Sequence, residues 1–132
     1  MELLDSLTVD HHGDPKRVAL YRGDLARIPP DESVDLLVVS AFANDYEPTP
    51  TSLIGALHAS GVSVAALADD MAADLRQEFG CWLSKELPAA PESGFRRILC
   101  FEPALRGRPE EVVGDIFRCL MPILEGGFPA RT

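Results

Sequence analysis

A layered α/β domain is the fold this sequence predicts, and three observations predict it. Val34 to Val39 (Val-Asp-Leu-Leu-Val-Val) is a nearly continuous apolar run, preceded by Pro29-Pro30-Asp31-Glu32. That is the pattern of a strand buried on both faces of a helix-covered sheet. A second such run, Phe95 to Glu102, stops at Pro103. Between and after them lie segments whose apolar residues recur at helical spacing. Strands interleaved with helices give a parallel or mixed sheet with helices packed against it. The 132 residues make one domain, 1–132, with one core.

Composition narrows the classes of function. A formal net charge of -9 argues against a protein that grips a nucleic-acid backbone. No apolar run reaches the roughly 20 residues that a transmembrane helix needs. The opening Met-Glu-Leu-Leu-Asp lacks the basic start and long apolar core of a signal peptide. Cys81, Cys100 and Cys119 are widely spaced with no C-x-x-C pair, so packed thiols are expected, not a zinc site or a disulfide framework. A cytoplasmic protein with no nucleic-acid or membrane partner is the expectation.

In chain order, Leu3 to Val9 reads as a first strand and Arg17 to Arg22 as a second, antiparallel to it. The turn between them is marked by Gly13 and Pro15. His11 and His12 fall at that turn, and adjacent histidines on an extended chain point apart and seldom share a metal. The Val34 run is expected to lie in mid-sheet. Thr51 or Ser52 caps a short helix through Leu53, Ile54, Leu57 and His58, with Gly61 ending it. Ser63 is expected to cap an amphipathic helix, because Val64, Leu67, Ala68, Met71, Ala72 and Leu75 make a single stripe. Cys81 to Ser84 reads as a short strand or an irregular buried segment, and Lys85 to Gly94 as a surface loop. A last helix starts near Pro109 with Glu110-Glu111 at its first turn and buries Val112, Val113, Ile116, Phe117, Leu120, Ile123 and Leu124. Such a crossover helix should deliver another parallel strand. Either a partner completes the sheet or the sequence is a piece of a longer domain.

At the carboxyl end of the Val34 run the apolar character gives way to Ser40, Ala41, Ala43, Asn44 and Asp45. Ligands of open α/β sheets sit beyond the carboxyl ends of strands, so a small-molecule site is expected there.

Two fragments together resemble a known family. Arg17 to Leu25, ending in Gly23-Asp24-Leu25, and then Val34 to Ala41 are similar to the opening of a macrodomain. The later Ile98 to Pro103 is similar to the strand that follows that family's first helices. The resemblance implies a three-layer macro-like mixed sheet with helices on both faces, here lacking its C-terminal strands. It implies binding of ADP-ribose or a related nucleotide, and some members hydrolyse ADP-ribosyl bonds. Asp24 matches the aspartate that accepts a hydrogen bond from the adenine amino group, and Leu25 its apolar neighbour. Ser40 stands where the family has its first Asn, and Asn44 falls near the second. The resemblance thus implies that the strand brings Asn44 to the same hollow as Asp24. Where the family has a Gly-rich phosphate loop, this chain has Asp45 to Ser52 with Pro48 and Pro50, which removes amide donors and adds carboxylates. Only the helix start at Thr51 or Ser52 is left there to attract an anion.

The expected ligand residues are therefore Asp24, Leu25, Ser40, Asn44, Asp45 and Ser52. Asp24 has a competing reading as a turn residue bonding its own backbone, and Asn44-Asp45 as a solvated loop tip. No Walker A, G-x-G-x-x-G, G-x-S-x-G or H-E-x-x-H motif occurs, so no cofactor, metal or catalytic residue is expected. The leading expectation is a binding module for an adenine-containing nucleotide. The others are a scaffold acting through protein contacts, as a homo-oligomer or at an open sheet edge, and an ADP-ribosyl hydrolase using Asn44 or Asp45.

Overall fold

The first two strands stand apart from the main sheet. In the computed structural model, which describes residues 1–88, 93–102, 114, 116–118, 120 and 121, β1 (Glu2–His11) and β2 (Asp14–Arg22) form an antiparallel hairpin. His12 and Gly13 connect them with φ of 52° and 78°. Two consecutive positive φ values are what a two-residue type I′ turn requires. A bulge between Leu3 and Asp5 shifts the register near the base of the hairpin.

Among the described residues the main sheet has four strands in the order β3 (Val34–Ser40), β6 (Phe95–Phe101), β5 (Cys81–Ser84) and β4 (Met71–Leu75). β3 and β6 are parallel, and the other two pairings are antiparallel, so the sheet is mixed. Among the described residues the Val34 run is thus an edge strand and does not lie in mid-sheet. The central places go to β6 and β5, whose residues are buried almost throughout. Apolarity on both faces does not separate a central strand from an edge strand that has a layer on either side.

Both faces of the sheet are covered. On one, Leu37, Val39, Ile98, Cys100 and Trp82 meet α1 (Leu53–Ala59) and α2 (Val64–Ala68) through Ile54, Leu57 and Val64. On the other, Leu83, Leu99 and Phe101 pack with Leu36, Val38, Ile116 and Leu120. Residues 114, 116–118, 120 and 121 are helical, as the periodicity after Pro109 predicts. The other residues of that expected helix, and Cys119, lie outside the described residues.

The helix expected from Ser63 to Leu75 is split. Ser63 does cap it, its hydroxyl accepting from the Ala66 amide at 3.1 Å. The helix ends at Ala68, and Met71–Leu75 is β4, with the register shifting between Met71 and Ala73. Met71 and Leu75 fit both periods, because i and i+4 share a face in a helix and in a strand. Pairing decides between them. β5 is fully buried, and its backbone groups on the side away from β6 need partners, which β4 supplies.

Ser52 caps α1 as predicted, and Gly61 follows it with φ +100°. Of the surface loop expected from Lys85 to Gly94, residues 89–92 lie outside the described residues, and Leu87 is buried in the core. Cys81 and Cys100 are buried thiols, as their apolar surroundings suggest. Among the described residues no helix is long and apolar enough to cross a membrane.

Candidate functional site

The mixed topology gathers four chain segments at one end of the sheet. β3 and β6 run parallel with Ser40 opposite Phe101, so residues 41–46 and Glu102 emerge side by side. β5 begins at that level, with Cys81 opposite Phe101, and β4 ends there, with Leu75 opposite Cys81. The link between β4 and β5 is the single-turn helix α3 (Arg76–Phe79). Gly80 closes it with φ +68°, and its carbonyl accepts from the Glu102 amide at 2.7 Å. These segments enclose a cleft of about 390 Å³ lined by Ala43, Asn44, Arg76, Gln77, Gly80 and Glu102.

Glu102 holds the cleft together. It is buried, and its Oε1 accepts from the Tyr46 hydroxyl and from the Asn44 amide, the latter at 3.2 Å. Asn44 sits at φ +57° in a tight turn in which the Asp45 amide donates to the Phe42 carbonyl at 3.0 Å. Asn is one of the few non-glycine residues that adopt this conformation readily. The Asn44 carboxamide oxygen in turn accepts from Arg76 Nη1 at 3.1 Å. Arg76 is gripped from its other side by Asp74, with Nε–Oδ1 at 2.9 Å and Nη2–Oδ2 at 2.8 Å. The result is a relay from the buried Glu102 through Asn44 to a cation at the cleft.

The electrostatics follow from these contacts. Hydrogen bonds from Arg76 hold the Asp74 carboxyl down at about 2, and the same contact raises the guanidinium further above its ordinary value. Burial, then the Glu102 carboxylate, pushes the Tyr46 hydroxyl up to about 12. Burial also pushes the Cys100 thiol up to about 12, with Glu102 adding to it. That thiol stays protonated at neutral pH and is no nucleophile. Tyr46 lies edge-on to Trp82, with ring centroids 5.8 Å apart. Trp82 Nε1 is buried with no acceptor in hydrogen-bond geometry among the described residues. The Tyr46 hydroxyl is nonetheless near enough for the indole to oppose part of its upward shift.

A pH dependence follows with a definite sign. The protonated Tyr46 hydroxyl is favoured in the folded state, so its contribution to stability is complete below pH 10, the ordinary tyrosine value. It is then lost as pH rises toward about 12. Cys100 acts in the same direction from its ordinary 9 upward. Urea denaturation across this alkaline window is expected to show stability falling with pH, with a shallower fall in Tyr46→Phe. An equal slope in the two proteins would remove Tyr46 from the account.

The residues expected from sequence fall in several places. Asn44 lines the cleft. Asp45 is beside it but exposed, with Oδ1 accepting from the Glu47 amide at 3.2 Å. Ser40 is the exposed last residue of β3. The Ser52 hydroxyl accepts from the Gly55 amide and donates to the Thr49 carbonyl, both at 3.0 Å, which occupies it as a cap. Asp24 caps a single 3-10 turn, Leu25–Arg27, by accepting from the Ala26 amide at 2.9 Å. This is the backbone-bonding role that competes with adenine recognition. Leu25 lines a second cleft of about 600 Å³ with Ser33 and Val34, where β3 begins, and that cleft shares no residue with the first. Asp24 and Asn44 are thus associated with opposite ends of β3, and neither of these two clefts contains both.

Arg76, Glu102 and Tyr46 are the site residues that sequence reasoning missed. Glu102 carries a signal, because it ends an apolar strand just before Pro103, the same kind of position that singles out Asn44. Arg76 carries none, since it falls at the end of a stretch that reads as helix. Among the described residues no cluster of His, Cys, Asp and Glu is arranged to hold a metal ion. No family model, curated protein or solved structure matches the chain.

Proposed function

We propose that the domain is a binding module for a small nucleotide-type ligand, its anionic group directed to Arg76 and a polar edge to Asn44. The observation that carries this reading is the Asn44–Arg76 contact, braced from behind by the buried Glu102 at the carboxyl ends of two parallel strands. That is the position where open α/β sheets take their ligands. A planar guanidinium suits phosphate or carboxylate. An incoming anion has to share Arg76 with Asp74, so binding is expected to be weak and salt-sensitive. The resemblance to macrodomains makes ADP-ribose, ADP and NAD the ligands to try. Calorimetry with each should give heat that Arg76→Ala abolishes and that Asp24→Ala leaves unchanged, since Asp24 caps a turn elsewhere. No heat from folded protein at millimolar ligand would sink the reading.

A second reading, a scaffold acting through protein contacts, is favoured by the edge position of β3 and the exposure of Val34 along it. An edge strand offers a row of backbone groups for pairing.

A further inference from the structure

We infer that the outward face of the β1–β2 hairpin is a surface on which two copies of this chain associate, antiparallel and related by a two-fold axis. The inference concerns a different element from the cleft and stands apart from the ligand reading. The register pairs Asp5 with Leu20, Leu7 with Val18, and Val9 with Lys16, and paired residues project to the same face of a hairpin. Near its base the opposite face approaches the domain, where Ala19 and Tyr21 line the cleft that also contains Leu25, Val34 and Leu36. On the outward face the apolar side chains are exposed. Leu7, Val18 and Leu20 are 57%, 56% and 60% exposed, and Val9 is 45% exposed. A two-stranded hairpin alone is marginal in water and gains stability by burying an apolar face.

The charges on this face say what covers it. Asp5 lies one pair from Leu7–Val18 toward the base of the hairpin, and Lys16 lies one pair from it toward the tip. A two-fold axis running across the strands at Leu7–Val18 exchanges those levels. Each copy's Asp5 then falls over the other copy's Val9 and diagonal to its Lys16, and Leu20 covers the other copy's Lys16 stem. Arg22 at the base is carried toward the other copy's Asp14 near the tip. Self-complementarity of this kind is what an isologous interface demands. Lys16 and Asp14 already pair at 2.8 Å, but both are more than half exposed, so little is lost when Lys16 turns to a new carboxylate. The chain as a whole has 21 acidic and 12 basic residues, and most of its surface repels a second copy. This face, with Lys16 and Arg22 among Glu2, Asp5 and Asp14, is nearly balanced.

Size sets the strength. Strands of this length give a face roughly 30 Å by 10 Å, which places the paired hairpins at or below the low end of specific interfaces. The dimer is therefore concentration-dependent.

Sedimentation velocity across a wide micromolar range tests the inference on the full chain. The sedimentation coefficient is expected to climb from monomer to dimer with concentration. Leu7→Arg, which sets like charges against each other on the axis, should hold the protein monomeric with an unchanged circular dichroism spectrum. Asp5→Lys and Lys16→Asp should each raise the dissociation constant about threefold to tenfold, and the double variant should restore it. A protein that is monomeric at every concentration overturns the inference, as does a dimer indifferent to Leu7→Arg. Failure of the double variant to recover overturns the antiparallel arrangement.

Discussion

Gly55→Ala is expected to destabilise the domain by about 3 kcal/mol, the upper part of the range for forcing extra volume into a packed site. Helix propensity alone predicts the opposite sign, a gain of about 1 kcal/mol from Ala inside a helix. The structure decides between them. A Cβ at Gly55 would lie 1.8 Å from the Thr49 carbonyl oxygen and 2.8 Å from its carbon. The crowding atoms are backbone, so no side chain can swing away. Relief would require the Pro48–Thr49 segment to lift off α1. Ser52, whose hydroxyl donates to Thr49 and caps α1, would then lose one of its two partners. Ile54 and Leu57, which α1 buries, would be loosened in turn. Urea denaturation of the two proteins measures the difference, and a variant as stable as the parent would show that the 48–49 segment does not cross the helix this closely.

Glu102→Ala is expected to cost about 2–4 kcal/mol and to abolish the ligand binding proposed for the cleft. Hydrogen bonds to a charged acceptor are worth about 1.5–3 kcal/mol each, and a buried donor left without an acceptor carries its own desolvation cost. Here two donors depend on one oxygen, the Tyr46 hydroxyl and the Asn44 amide. Glu102→Gln keeps the shape and can still offer an oxygen to one of them, so about half of that loss is expected. The two losses should also separate in kind. Stability falls because donors are stranded. Binding falls because the turn that holds Asn44 at positive φ is released, and the Asn44–Arg76 contact with it. In a double-mutant cycle, Tyr46→Phe and Glu102→Ala together should cost clearly less than the sum of the single losses. Simple additivity would mean that Glu102 does not act through Tyr46.

Much of the local structure can be read from the chain. The hairpin, the caps at Ser52 and Ser63, the buried strands at Val34 and Phe95 and the helix around Ile116 and Leu120 all follow from short-range patterns. They follow because a cap, a tight turn and an apolar period are settled within a few residues of sequence. Where two periods share the same residues, the local pattern is silent. Met71 and Leu75 satisfy helix and strand alike, and the need of the buried β5 for a neighbour makes the segment a strand. The edge position of β3 is hidden for a related reason. Leu37 and Val39 face one layer and Leu36 and Val38 the other, so both faces read as core whichever side lacks a strand.

By itself, then, the sequence determined an α/β domain, its caps and turns, and the carboxyl end of the Val34 strand as a place for polar residues to gather. Only the tertiary structure decided which polar residues meet there. Strand order turned a helix into β4, set α3 between β4 and β5, and so brought Arg76 to Asn44 across 32 positions of sequence and Glu102 to Asn44 across 58. The same order left Asp24 capping its own turn and Leu25 in a separate cleft by the start of β3. Hydrogen-bonded pairing in a sheet is a long-range choice between competing neighbours, and it is made by which backbone groups would otherwise be buried without partners.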